Sequence, residues 1–204
     1  MTSQLIKNHE DGFKKRQRIY PDLFDLENWR KSESYALIKK YCNKNDSIIE
    51  IGTLTGHHIL LLAQEEYWGK LVGIDFVKDA IDWANEKKEE LGLDNKNIIF
   101  NNSDFLKLCF HESDRYSKII LFDVIEHVSN LELFLNKVIS ILNKNGEVLI
   151  LVPKGREYFD PCHINFYPDE DCLRNLLQLY FEVIEAYEVE HNNKIFARCK
   201  LKNE

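Results

Sequence analysis

Ile48-Ile49-Glu50-Ile51-Gly52-Thr53-Leu54-Thr55-Gly56 is the stretch on which the reading of the fold turns. It begins as a short apolar run that carries one carboxylate, Glu50. It ends in two glycines four positions apart, and His57-His58-Ile59-Leu60-Leu61-Leu62 continues it as a helix. A buried strand, a tight turn and a helix form the unit from which parallel sheets are built. Glycine tolerates positive φ and lets a ligand approach the backbone closely.

The same rhythm recurs on both sides of this stretch. Upstream, Ser32 to Tyr41 reads as a helix, with Tyr35, Leu37, Ile38 and Tyr41 able to face one way. Strands are expected at Ser47–Ile51, Leu71–Phe76, Ile98–Asn101, Ile119–Val124 and Glu147–Val152. Helices are expected at His57–Tyr67, Val77–Leu91 and Leu131–Leu142. The last is closed by Asn143-Lys144-Asn145-Gly146, with Gly146 as its C-terminal cap. The strands are continuously apolar, which is the mark of a parallel sheet covered on both faces. After Pro153 a long loop runs to Tyr167, and Pro168 opens a helix to Tyr180. Phe181–Glu188 and Lys194–Leu201 then read as strands around an Asn192-Asn193 turn. The expected class is α/β: a Rossmann-like doubly wound, seven-stranded sheet, mainly parallel, with an antiparallel C-terminal strand pair.

Bulk properties narrow the function. The 204 residues are 44% hydrophobic and 30% charged, an ordinary globular balance. A net charge of -7 argues against nucleic acid as partner, since that needs a basic face. The five cysteines, Cys42, Cys109, Cys162, Cys172 and Cys199, are widely spaced and contain no CxxC pair. They suit neither a disulfide framework nor a cysteine zinc site, and scattered thiols fit a cytoplasmic location. No stretch approaches the roughly 20 apolar residues of a membrane span, and no signal-type run opens the chain.

Acidic residues at the strand ends add chemistry to the loop. Asp75 ends the second strand, where a carboxylate can accept hydrogen bonds from both hydroxyls of a ribose. Asp104 ends the third, placed to accept from an adenine amino group, with Phe105 or Phe76 to pack on the base. One such acid is more often a helix N-cap. Three in register on successive strands are harder to dismiss as caps alone. A nicotinamide dinucleotide fits poorly, because the G-x-G-x-x-G spacing is absent.

With these residues in hand, the stretch from about Asp46 to Pro153 resembles the class I S-adenosylmethionine-dependent methyltransferases. Phe122-Asp123-Val124-Ile125-Glu126-His127-Val128 is similar to the D-x-x-E-H-V signature of the branch with ubiquinone-biosynthesis and small-molecule O-methyltransferases. The later Pro153, His163, Phe166-Tyr167 and Leu176-Leu177 also resemble that branch. The resemblance implies S-adenosylmethionine as cofactor, S-adenosylhomocysteine as product, and a cofactor site made of Glu50, Gly52, Thr53, Leu54, Gly56, Asp75, Phe76, Asp104, Phe105 and Asp123. Leu54 departs from the family, which usually has glycine there. Catechol and caffeoyl-CoA O-methyltransferases carry a bulky residue at this point, but the chain lacks their metal-binding pattern. Residues 32–204 are then expected to form the methyltransferase domain, with 1–31 as a helical appendage or cap.

A hydroxyl acceptor needs a general base, and histidine suits that task near neutral pH. His127 and His163 are the candidate catalytic residues; bracing a loop is the alternative role for each. Of His57 and His58 at the helix start, one is expected to face solvent. No divalent metal is expected. The alternative is a metal held by Asp123, Glu126, His127 and His163, a mixed oxygen and nitrogen set that resembles the ligands of small-RNA 2'-O-methyltransferases. Phe13, Tyr20, Phe24 and Trp29 either line an acceptor pocket or pack on the core. Lys14-Lys15-Arg16-Gln17-Arg18 either meets an acidic substrate or forms a solvated face. The expected activity is methyl transfer to an oxygen of a small-molecule acceptor. The alternatives are RNA or protein methylation, or cofactor binding without catalysis. No feature speaks to the oligomeric state.

Overall fold

Strand β1 (Ile48–Ile51) is buried at every position, and the chain leaves it through a left-handed turn. Gly52, Leu54 and Gly56 all have positive φ, at 76, 48 and 66°. The computed structural model describes residues 7, 10–15, 24–67, 69–94, 97–155, 162–189 and 193–202. They fall into two compact units, Met1–Cys109 and Phe110–Glu204. The seven strands follow the order β3-β2-β1-β4-β5-β7-β6. This is the α/β class expected, mainly parallel with an antiparallel end.

In the first unit, α1 (Leu26–Arg30) and α2 (Glu33–Tyr41) precede β1. Helix α3 (His57–Gln64) follows it, then β2 (Leu71–Asp75), α4 (Lys78–Glu90) and β3 (Ile98–Asn102). Strands β1, β2 and β3 pair in parallel, with Glu50 opposite Gly73 and Gly73 opposite Phe100. All residues of α3 from His57 to Ala63 are buried. A helix apolar on nearly every side is a core helix, not an amphipathic one. It stops at Gln64, short of the expected Tyr67, and Glu66 at φ 63° turns the chain away. Gly56 is required sterically as well as conformationally. A Cβ there would lie 2.3 Å from Phe100 Cε1.

The second unit holds β4 (Tyr116–Phe122), α5 (Leu131–Ile141), β5 (Leu142–Pro153), α6 (Glu170–Leu177), β6 (Glu182–Val189) and β7 (Lys194–Lys200). Strands β4 and β5 are parallel, and β7 lies antiparallel between β5 and β6. Strand β4 ends at Phe122, because Asp123 turns into the left-handed region at φ 55°. Gly146 does not cap α5. The helix ends at Ile141, and β5 starts at Leu142 with a register shift between Tyr116 and Lys118 of β4. Gly146 sits within the strand, where a Cβ would lie 3.0 Å from the Tyr116 carbonyl oxygen. Helix α6 is opened by Asp169, whose side chain accepts from the Cys172 amide, rather than by Pro168. Asn193 takes the turn before β7 at φ 46°. Asn192 lies outside the described residues.

Candidate functional site

The loop after β1 is held from below by its neighbour strand. The amides of Gly52 and Thr53 both donate to the Ile74 carbonyl, at 2.8 and 3.1 Å. The Leu54 amide donates to Asp75 Oδ2 at 2.8 Å, and Gly56 N–H closes the turn on the Thr53 carbonyl. The expected donors of Gly52, Thr53 and Leu54 thus have partners inside the fold. Glu50 is likewise engaged. Its two oxygens accept from Thr53 Oγ1 and His58 Nδ1, each at 2.6 Å. Glu50 and Thr53 are buried, whereas Gly52 is exposed and Leu54 half-buried.

Asp75 lies at the end of β2 and is buried. Its Oδ1 accepts from the Val77 amide at 2.9 Å. Burial pushes its carboxyl up to about 6, against the pull of the Val77, Leu54 and Phe76 amides. A buried carboxylate with two oxygens anchored on backbone amides still has lone pairs for the two hydroxyls of a ribose. Asp104 caps the short 3-10 helix Phe105–Lys107 by accepting from the Leu106 amide at 3.1 Å. Phe105 is buried and Phe76 is partly exposed.

An aromatic cover lies over this loop. Phe13, Val77 and Ala80 form a buried cluster, with Phe24, Leu54 and Phe76 packed against it. Trp29 stacks on His57 with ring centroids 5.0 Å apart, and Phe24 and Trp83 meet edge to face at 5.7 Å. So Phe13, Phe24 and Trp29 pack on the core of their unit, and Lys14 pairs with Asp79 at 3.0 Å. Tyr20, Arg16, Gln17 and Arg18 lie outside the described residues. The expectation that His57 or His58 faces solvent fails: both are buried, at 4% and 7% exposure. Helix α3 is apolar on almost every side, so its first turn is enclosed too. Burial lowers the His57 imidazole to about 3, and it bonds to Thr55 Oγ1 through Nδ1.

In the second unit, the 3-10 turn Ile125–His127 follows β4. The returning loop is pinned to it. The Ile164 and Asn165 amides donate to the Glu126 carbonyl, and the Asn165 side chain donates to the Ile125 and Val128 carbonyls. This brings Glu126, His127 and His163 together, with one possible ligand atom of each within 4.8 Å of the others. The His127 and His163 rings are 4.7 Å apart. His127 Nδ1 lies 3.0 Å from the Cys162 carbonyl oxygen. A carbonyl only accepts, so Nδ1 carries the proton and a neutral ring keeps its lone pair on Nε2. Glu126 is buried, and neither of its oxygens has a hydrogen-bond partner among the described residues. Burial, with the nearby charge of Asp123, pushes its carboxyl up to about 8. Asp123 stands outside this group. It is exposed and pairs with Lys194 at 2.5 Å.

His58, Tyr167 and Lys194 were not singled out as site residues from the sequence. Tyr167 is buried with its hydroxyl unpartnered among the described residues, and burial, with the nearby Glu126, raises its pKa.

Comparison with known proteins agrees with this architecture. A family model described as a methyltransferase domain matches residues 42–194. A protein-lysine N-methyltransferase of Saccharomyces cerevisiae is 27% identical over 63% of this chain and 55% of its own length. A carboxy-S-adenosyl-L-methionine synthase of Helicobacter pylori is 25% identical over 81% of this chain and 63% of its own. The chain thus spans less than two thirds of the length of either. The crystal structure of a SAM-dependent methyltransferase from Aquifex aeolicus superposes with a TM-score of 0.75 at 18% identity. It covers 95% of this chain and 98% of that one. The match over three quarters of the sequence and the shared seven-stranded sheet place the chain in the methyltransferase-domain family, with the class I fold of S-adenosylmethionine-dependent methyltransferases.

Proposed function

We propose that the protein transfers a methyl group from S-adenosylmethionine to an oxygen of a small-molecule acceptor, with His127 or His163 taking the acceptor's proton. When bound, the cofactor would supply an electrophilic methyl on a sulfonium and leave as S-adenosylhomocysteine. The protein's part is to orient the reactants and manage the proton. In this reading the Gly52–Gly56 loop holds the methionine end of the cofactor and Asp75 the ribose. Asp104, with Phe105 or Phe76, stands by the adenine, and residues 1–31 form the cap over a domain of residues 32–204. The observation that carries the acceptor chemistry is the tautomer of His127. With Nδ1–H tied to the Cys162 carbonyl, Nε2 is the basic position, beside Glu126 and His163. Among the described residues no helix is long and apolar enough to cross a membrane. The five cysteines are free thiols, which supports a cytoplasmic location.

The test is a radiolabelled-methyl screen of hydroxyl-bearing and amine-bearing small molecules and lysine peptides. Methylated alcohols or phenols are expected, and removing both imidazoles (H127A with H163A) should slow turnover by about 10²–10⁴. Labelling confined to lysine peptides would overturn the acceptor assignment in favour of the activity named for the yeast relative.

A second reading follows from the bare oxygens of Glu126. Glu126, His127 and His163 offer the oxygen and nitrogen donors that suit a divalent ion such as Mn or Zn. Such a site predicts loss of turnover on exhaustive chelation and recovery on adding the metal back. Unchanged turnover after chelation removes it.

A further inference from the structure

Glu50 is 3% exposed, and a buried carboxylate is tolerated only where it is paired and hydrogen-bonded. Its partners are the hydroxyl of Thr53, on one oxygen, and His58 Nδ1, on the other. A carboxylate only accepts, so Nδ1 of His58 carries a proton. The far side of the ring is held as well. His58 Nε2 lies 3.1 Å from Ser34 Oγ, and Ser34 Oγ lies 3.0 Å from Ser32 Oγ, the N-cap of α2. Two aromatic rings fix the plane of the imidazole. Tyr35 lies parallel to it at 6.4 Å, and Trp29 meets it edge-on at 5.3 Å. The result is a chain of hydrogen bonds, Ser32–Ser34–His58–Glu50–Thr53, that runs from the start of α2 to the middle of the cofactor loop.

We infer that His58 is a positioning residue for the cofactor loop: by donating from Nδ1 to Glu50 it holds that carboxylate against Thr53 and keeps Gly52–Gly56 in its ligand-binding shape. Glu50 then acts on the cofactor through the loop, not by direct contact. The loop includes a non-glycine residue in a conformation that a free chain avoids, Leu54 at φ 48°, so its shape depends on such anchors. This rests on the reading of Gly52–Gly56 as the element that holds S-adenosylmethionine.

Two polar variants separate the role from mere packing. In His58→Asn the amide nitrogen falls near the Nδ1 position and still reaches Glu50. In His58→Gln it falls near Nε2 and reaches Ser34 instead. S-adenosylhomocysteine affinity is measured by calorimetry for the full chain, with thermal unfolding alongside. H58N should bind within about threefold of the unmodified protein, and H58Q should bind roughly tenfold or more weakly, the usual effect of losing a hydrogen bond to a charged group. Both should keep a cooperative thermal transition. Equal affinities for H58N and H58Q, or H58Q within about twofold of the unmodified protein, would overturn the inference. If H58Q fails to fold, Thr53→Val removes the other donor to Glu50 and carries the same expectation: roughly tenfold weaker binding supports the inference, and unchanged affinity overturns it. Failure of the unmodified protein to bind S-adenosylhomocysteine would instead sink the reading of the loop itself.

Discussion

Replacing Asp75 by asparagine separates the cost of burying its charge from the use made of it. On folding, the Asp75 carboxyl rises from 3.8 to about 6, mainly through burial. The folded state therefore binds this proton more tightly than the unfolded chain. The carboxyl's contribution to stability is greatest below pH 4 and is lost as pH rises toward and through 6. That loss amounts to roughly 3 kcal/mol at neutral pH, at about 1.36 kcal/mol per pKa unit. An asparagine at this position carries no charge, so the D75N variant escapes this loss. A different cost replaces it: the Leu54 and Val77 amides, 2.8 and 2.9 Å from the two oxygens, would face one oxygen and one NH₂. Leaving one buried donor unsatisfied costs about 1–3 kcal/mol. The two effects nearly cancel, so D75N should be about as stable as the parent at pH 7.5 and less stable at pH 4.5. Cofactor binding has no such compensation. Loss of charged hydrogen bonds to the ribose hydroxyls, at about 1.5–3 kcal/mol, weakens S-adenosylhomocysteine roughly 10- to 150-fold. The parent should itself lose about tenfold in affinity between pH 7 and pH 5 as Asp75 takes up its proton, and D75N should be flat over that range. Calorimetric titration at several pH values reads both effects, and urea denaturation reads the stability. A D75N affinity within about twofold of the parent at pH 7.5 would refute the assignment of the ribose to Asp75.

Gly56→Ala should be strongly destabilising, by roughly 2–4 kcal/mol. It combines an L-residue at φ 66° with a Cβ 2.3 Å from the Phe100 ring. Urea denaturation checks this, and Phe100→Leu in the same chain should recover part of the loss. Leu54→Gly should leave global stability within about 1–2 kcal/mol, because relief of the strained φ of 48° offsets the loss of a half-buried side chain. Its effect should be local: Leu54 packs against the Phe13 cluster, so hydrogen exchange of residues 10–15 should speed up while that of β1 and β2 stays unchanged.

Much of the architecture was legible in the order of residues alone. Ile48–Ile51 and Leu71–Asp75 are buried at every position, and short runs so dominated by Ile, Leu and Val between turn residues have few other uses than a covered parallel strand. The turn at Gly52 and Gly56 and the strand-end place of Asp75 were legible for the same reason, since both follow from local backbone position. Element ends were less so. Gly146 reads as a helix cap by its neighbours in sequence, but its place beneath the Tyr116 carbonyl comes from pairing with a distant strand.

What depended on the tertiary structure was which side chains meet. The order of residues places Glu50 at a strand end but does not name its partner, and His58, eight positions on, proves to be enclosed beside it in a helix with almost no exposed face. The Asp123, Glu126, His127 and His163 set reads as one group, yet only three converge. Asp123 turns out at φ 55° to meet Lys194, 71 residues away, while the Asn165 side chain ties His163's loop to the turn at Glu126. Periodicity and spacing record how each segment faces the core. They carry no information on which segment a loop returns to, and that return selects the partners of each buried charge.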